Sequence, residues 1–171
     1  MKSIVITIGC ALIAALAVAN AFGKDMASQD QAFVNEAGPG NKMEIEFGKL
    51  AEKKGSNPAV REFGARMVKD HTRLFNELAS VAKSIGLTVP TALSAEQQHD
   101  YAELSKLSGS NFDKQYIDLM VKVHTADLAA FQNAETTVEN PKLKKAISTA
   151  IPVIQEHLTM AKSDAAKLAT R

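Results

Sequence analysis

The sequence holds one cysteine and no tryptophan, and only five prolines and nine glycines among 171 residues. Cys10 has no second thiol to pair with, so neither a disulfide nor a set of thiolate ligands is available to this chain. The scarce prolines and glycines sit at apparent breaks between long runs, which is the composition of a helical protein. A formal net charge of +1 removes the electrostatic case for a nucleic-acid partner or an acidic surface. No glycine-rich phosphate cradle is present either, because "GPG" at Gly38–Gly40 lacks both the lysine and the preceding strand. At 46% hydrophobic content, the chain has the material for one compact domain stabilised by packing alone.

The long uninterrupted apolar run is at the beginning. Lys2 is followed by "IVITIGCALIAALAVA", 16 residues, and then by "ANA" at Ala19–Ala21, a small-x-small cleavage pattern. Residues 1–21 are expected to be a secretory signal peptide with Phe22 as the mature start, "AVA" at Ala17–Ala19 being the neighbouring alternative. A retained transmembrane anchor is the rival reading, but the run is shorter than the ~20 residues a spanning helix needs. Thr7 before Cys10 argues against lipidation. The expected mature chain, residues 22–171, has no cysteine and no membrane span. It is destined for the periplasm or cell envelope.

Helical punctuation then marks four long helices. The first covers roughly Ser28 to Lys54, and "GPG" is expected to kink or interrupt it. Asn57 and Pro58 open the second as N-cap and first helical residue, and Gly86 and Pro90 close it. Ser110 with Asp113 forms a capping-box-like start for the third, which runs to about Val138. Asn140 and Pro141 open the fourth. Between the second and third lie 25 residues, 86–110, carrying a short helix capped by Ser94. Short, long, short connections give the expected fold: all-α, a ferritin-like four-helix bundle with one long crossover. A faint internal repeat accompanies it, since Asn-Pro opens two helices that each carry an acid-His pair, Asp70-His71 and Glu156-His157.

The segments "EIEFGKLAEKKGSNPAVREFGARMVKDHTRLFNEL" (44–78), "LSGSNFDKQYIDLMVKVH" (107–124) and "IPVIQEHL" (151–158) closely resemble the exported bacterial ferritin-like family known as domain of unknown function 4142. The likeness runs from about Gln29 to Lys162. It implies a ferritin-like four-helix fold in the cell envelope and brings no settled activity with it.

The chemistry is in the histidines. In the second helix Val60, Phe63, Met67, His71, Leu74, Leu78, Val81 and Ile85 recur at steps of three or four, one buried stripe with His71 near its centre. His157 falls between Ile154 and Ala161 in a similar stripe, and His124 lies on the apolar face of the third helix. Glu44 stands beside Phe47 on the first. Counted from their helix starts, all four lie at comparable depth, within about 4.5 Å of axial rise. An up-down bundle brings such positions into one layer, so Glu44, His71, His124 and His157 are the expected ligands of a single transition-metal ion, Zn, Fe, Mn or Cu. Asp127 is a candidate fifth ligand, and Asp70 and Tyr116 are candidates to orient the imidazoles. Glu156 should point outward, and His99, in the crossover helix, is outside the set.

Other readings bound this one. The residues three before His71, His124 and His157 are Val68, Val121 and Ile154, so the Glu-x-x-His motif of di-iron proteins is absent and ferroxidase or oxygenase chemistry is not supported. Met67, Met120 and Met160 lie near the histidines and would suit copper, though methionine at helical spacing is usually core filling. Pro152 should bend the fourth helix just before His157. The competing reading is a structural or interaction protein of the envelope, a homodimer among its forms, whose buried histidines and carboxylates bond one another and hold no metal. The first reading makes the chain a binding protein more than an enzyme.

Overall fold

A computed structural model describes the backbone of residues 12–170, with side chains described for 29–170. It comprises α1 (Leu12–Lys54), α2 (Pro58–Ser84), α3 (Ala95–Lys106), α4 (Gly109–Thr137) and α5 (Pro141–Ala169), and no strand occurs among the described residues. α1 packs along α2 and α4 along α5, forming two hairpins. α2 faces α5 across the bundle, while α1 and α4 meet far less closely. The crossover with α3 joins the hairpins, so the connectivity is short, long, short as in ferritin-like bundles. No helix among the described residues is long and apolar enough to cross a membrane. The expected leader, residues 1–21, lies outside the described residues except for its helical backbone from Leu12.

Local chemistry explains most boundaries. Asn57 Oδ1 accepts the Ala59 amide and Asn140 Oδ1 accepts the Lys142 amide, each at 3.0 Å, with proline at the first turn of α2 and α5. Ser94 and Gln97 form a complete capping box on α3. α2 ends where Gly86 turns to φ +78°: the Leu87 amide reaches Ala82 O and the Gly86 amide reaches Lys83 O, the paired closure that a left-handed glycine permits.

One expectation is narrowed and one fails, for identifiable reasons. "GPG" does not interrupt α1, and Pro39 lies within a continuous helix. Gly38 serves packing instead: a Cβ there would sit 2.5 Å from Pro90 O and 2.6 Å from Val89, where the crossover lies on α1. Asn41 Nδ2 donates to Ala37 O at 2.8 Å, which ties the Asn41 side chain back to its own helix. Secondly, α4 starts at Gly109 rather than at a Ser110 cap, and its N-cap Ser108 makes no side-chain capping bond. Asp113 is not a capping partner. It accepts hydrogen bonds from the Ser56 amide and hydroxyl and the Asn57 amide, fastening α4 to the turn between α1 and α2. Asp30 on α1 does the reciprocal service: its Oδ1 accepts the Glu139 amide at 3.2 Å and the Asn140 amide at 3.5 Å in the turn between α4 and α5.

The core is divided. One cluster centres on Phe47, Phe63, Met67, Phe112, Tyr116 and Met120. A second is built from Val34, Leu78, Ala134, Leu143 and Ile147, with Leu74, Ala150 and Ile154 adjoining. Each fully buried side chain of this kind contributes roughly 1.5–3 kcal/mol through loss of apolar surface from water. Between the two apolar blocks runs a polar layer. On α2 it interrupts the stripe between Met67 and Leu74, and on α5 between Ile154 and Ala161. Gly48 and Gly64 bring α1 and α2 together beside it, because a Cβ on Gly64 would meet Gly48 O at 2.7 Å and Ala51 Cβ at 2.8 Å.

Candidate metal centre

Four helices each supply one residue to the polar layer: Glu44 from α1, His71 from α2, His124 from α4 and His157 from α5. All four are buried, the two last completely. The three imidazoles surround one point, with ring centroids 5.8, 5.1 and 5.4 Å apart. One ring nitrogen from each lies within 4.8 Å of the others.

The outer nitrogens are fixed by acceptors. His71 Nδ1 lies 2.9 Å from Glu44 Oε2 and 3.1 Å from Asn41 Oδ1. His157 Nε2 is 3.0 Å from Asp70 Oδ2. His124 Nδ1 is 2.9 Å from the carbonyl of Met120, one turn back on α4. Burial holds all three rings neutral, pushing His71 and His157 down to about 4 and His124 below its ordinary value. A neutral imidazole has one N–H, and the three outer acceptors claim it in every ring. His71 Nε2, His157 Nδ1 and His124 Nε2 therefore present bare lone pairs to the centre. His71 Nε2 and His157 Nδ1 are 3.2 Å apart. His124 Nε2 is 3.4 Å from Glu44 Oε1, and neither of those atoms has a hydrogen-bond partner. At this buried point something electron-poor is needed: the proton that burial keeps on Glu44, or a metal ion in its place.

Carboxylates frame this cluster on two sides. Burial raises Glu44 to about 7, and burial with the neighbouring Glu44 charge raises Asp127 to about 8. The two carboxyl groups lie side by side and retain protons near neutrality. Asp70 behaves oppositely: burial acts to raise it, but hydrogen bonds from Arg66 and His157 prevail and hold it below the ordinary carboxylate range. Arg66 also binds Glu156 at 3.0 Å, and Glu156 is exposed, in keeping with its expected outward position. The chain of contacts thus runs from His157 through Asp70 and Arg66 to the surface.

A cavity of about 310 Å³ adjoins the layer, between α1 and α4. Glu44, His71, Asn41 and Asp127 stand in its lining, with Leu74, Phe131, Ile147 and Ile154 among its apolar walls.

Of the residues singled out from sequence, Glu44, His71, His124 and His157 come together, and Asp70 and Asp127 lie against them. Tyr116 does not orient an imidazole. Its hydroxyl is buried without a hydrogen-bond partner, and its ring packs on Phe63 and Phe112. Met67 and Met120 are buried in the apolar block, Met120 contributing its carbonyl to His124. His99 is exposed on α3. Sequence reasoning missed Asn41 and Arg66. Asn41 lies three residues before Glu44 on the same face of α1, and Arg66 lies four before Asp70, spacings that place each beside its partner.

A transition metal needs nitrogens about 2.0–2.1 Å away, so the imidazoles would have to draw in by roughly 1 Å from their present spread. Their donors are of the right kind. Neutral imidazoles with the far nitrogen bonded to carboxylate or carbonyl are the usual metal-ligating arrangement.

The profile of the family described as "Domain of unknown function (DUF4142)" matches residues 15–163. No curated protein matches the sequence. Among solved structures, CopM in the Cu(I)-bound form is similar with a TM-score of 0.67 at 21% identity, covering 78% of this chain and 93% of that one. A DUF305 fragment from Deinococcus radiodurans gives 0.72 at 12% identity, covering 81% and 96%. A conserved hypothetical protein from Mycobacterium tuberculosis gives 0.66 at 18%, covering 82% and 93%. At these identities the likeness establishes the helical-bundle fold.

Proposed function

The chain belongs to the DUF4142 family, whose description names no activity, and we propose from its site that it is an exported metal-binding protein of the cell envelope. One transition-metal ion is held by His71 Nε2, His124 Nε2 and His157 Nδ1. Glu44 holds His71 through Oε2 and offers Oε1 as a further donor. Asp70 and the Met120 carbonyl fix the rings of His157 and His124. The observation that carries this reading is the convergence of three lone pairs whose opposite nitrogens are all engaged. Imidazole donors suit zinc, copper, iron and nickel, and the likeness to CopM in the Cu(I)-bound form puts copper beside zinc as the first ions to examine. The apolar run before "ANA" supports export.

The Glu-x-x-His pairs that hold two irons in ferritin-like proteins are absent, so the donor set supports one metal. The role supported is therefore binding, with weak redox activity if copper occupies the site. The competing class is a structural envelope protein whose polar layer holds only protons. Elemental analysis of untagged protein separates the two. About one metal per chain is expected for the wild type and none for the His71→Ala/His124→Ala double variant. A wild type that stays metal-free after exposure to Zn²⁺, Cu²⁺ and reduced copper overturns the proposal.

A further inference from the structure

We infer that the cavity between α1 and α4 is the passage by which a hydrated metal cation reaches and leaves the histidine layer. Its mouth is at Ala32 and Ala130, its inner end at His71, and Gly40 stands along it. The inference rests on the metal centre proposed above and adds what a set of ligands alone does not contain, a way in for the ion. The cavity spans that distance: Glu44 and His71 belong to its lining, and so do Ala32, Glu36, Ala130 and Asn133, which are exposed to solvent. At about 310 Å³ it has room for an ion that keeps several waters.

The other approaches are closed by packed atoms. On the side of the first apolar cluster, Phe63 sets its ring against His124 and His157 at centroid distances of 6.5 and 6.3 Å, with Phe47, Tyr116 and Met120 fully buried around it. Between α1 and α2, Gly48 and Gly64 leave no room even for a methyl group. Between α2 and α5, Arg66 bonds Asp70 and Glu156 across the gap. α4 lies closely along α5, whereas α1 and α4 meet far less closely. An ion stripped of its water is strongly disfavoured in an apolar block, so it follows a route that stays wet. Here Glu36 and Asn133 near the mouth and Asn41 near the inner end offer oxygens, and among the described residues no lysine or arginine lines the way. Gly40 is the independent mark of a passage. Gly38, Gly48 and Gly64 each lack room for a Cβ, but a Cβ on Gly40 would meet no atom within 4 Å. Glycine weakens a helix interior, and packing gives this one no reason to be there. The space it leaves lies one turn from Glu44 on the same face of α1, inside the cavity.

The test follows Zn²⁺ uptake and release by the metal-free full chain in stopped flow, with a chromophoric chelator reporting free ion. Gly40→Leu and Ala130→Phe put bulk into the passage without replacing a proposed ligand. Circular dichroism checks the fold of each, and either variant alone decides if the other does not fold. Uptake and release should both slow by at least about tenfold, because one obstruction raises the barrier equally in the two directions. The dissociation constant, their ratio, should stay within about twofold of the wild type. Arg66→Gln, which removes the cover between α2 and α5, should leave uptake within about twofold. Wild-type rates in the cavity variants, a changed dissociation constant with unchanged uptake, or uptake accelerated beyond that margin by Arg66→Gln overturns the inference. A chain that takes no Zn²⁺ at equilibrium defeats the metal centre and the passage together. One that takes it at rates indifferent to both cavity variants defeats the passage alone.

Discussion

Replacing Asp70 by Asn tests whether the histidine cluster works as a metal site or merely fills space. Asp70 Oδ2 stands 3.0 Å from His157 Nε2 and also accepts from Arg66. Asparagine keeps the volume and one carbonyl acceptor but loses the charge. A hydrogen bond to a charged group contributes about 1.5–3 kcal/mol and a neutral one about 0.5–1.5. The difference, about 1–1.5 kcal/mol, falls on the state that makes His157 Nδ1 a good donor. That corresponds to about tenfold in affinity, at the lower edge of the 10–100-fold typical for such outer partners. Arg66 keeps Glu156 as a partner, so the cationic side of the network stays in place. The assay is competition between metal-free protein and a chromophoric chelator for Zn²⁺, and for reduced copper under reductant. Asp118→Asn serves as the control, since Asp118 pairs with Lys114 in solvent away from the cluster. A folded Asp70→Asn variant whose affinity is within about twofold of the Asp118→Asn control would refute the reasoning, because His157 would then not be tuned by the bond that fixes it.

Stability of the metal-free protein should depend on pH in two opposing ways. Glu44 and Asp127 are raised to about 7 and about 8; their contribution is complete below the unfolded carboxylate values and is lost as pH rises through those folded values. His71 and His157 are lowered to about 4; theirs is complete above the unfolded imidazole value and is lost as pH falls toward 4. Denaturant unfolding should therefore be nearly flat from about pH 5 to 6.5 and weaken above it, by about 1.4 kcal/mol per pH unit for each extra proton held by the folded state. Asp127→Asn should remove about one proton's share of that alkaline loss, and an unchanged slope would show that Asp127 is already ionised. Gly64→Ala places a methyl 2.7 Å from Gly48 O and 3.0 Å from the Glu52 amide. Those are backbone atoms that cannot step aside, so overpacking of about 1–3 kcal/mol should exceed the ~1 kcal/mol gain in helix propensity. Thermal melting should fall, and metal affinity with it, because Glu44 and His71 sit on the two helices forced apart; a variant with wild-type melting and affinity sinks this account.

The helices and their pairing were legible because Asn57-Pro58, Asn140-Pro141, Ser94 and Gly86 are local signals that the structure uses as such. The layer of Glu44 and three histidines was legible for the same reason: helical rise turns sequence spacing into depth. What sequence could not reveal is set by contacts distant along the chain. Gly38 looked like a breaker and is a seat for Val89 and Pro90, fifty residues away. Asp113 looked like a cap and belongs to the turn at Ser56. Tyr116 has the right facing to meet His124, but the aromatic block around Phe63 and Phe112 takes its ring. Which side of each imidazole faces inward depends on Asn41, Asp70 and the Met120 carbonyl together, and no spacing rule encodes that.

Asp113 and Asp30 make a matched pair of buckles: each hairpin lends an aspartate to the bend of the other. The bundle is therefore held shut independently of the connecting strap between Ile85 and Ser108. A protease nick in that strap should yield two fragments that stay associated and reassemble after separation, each bringing half of the histidine centre, so that ion binding itself would report their reunion.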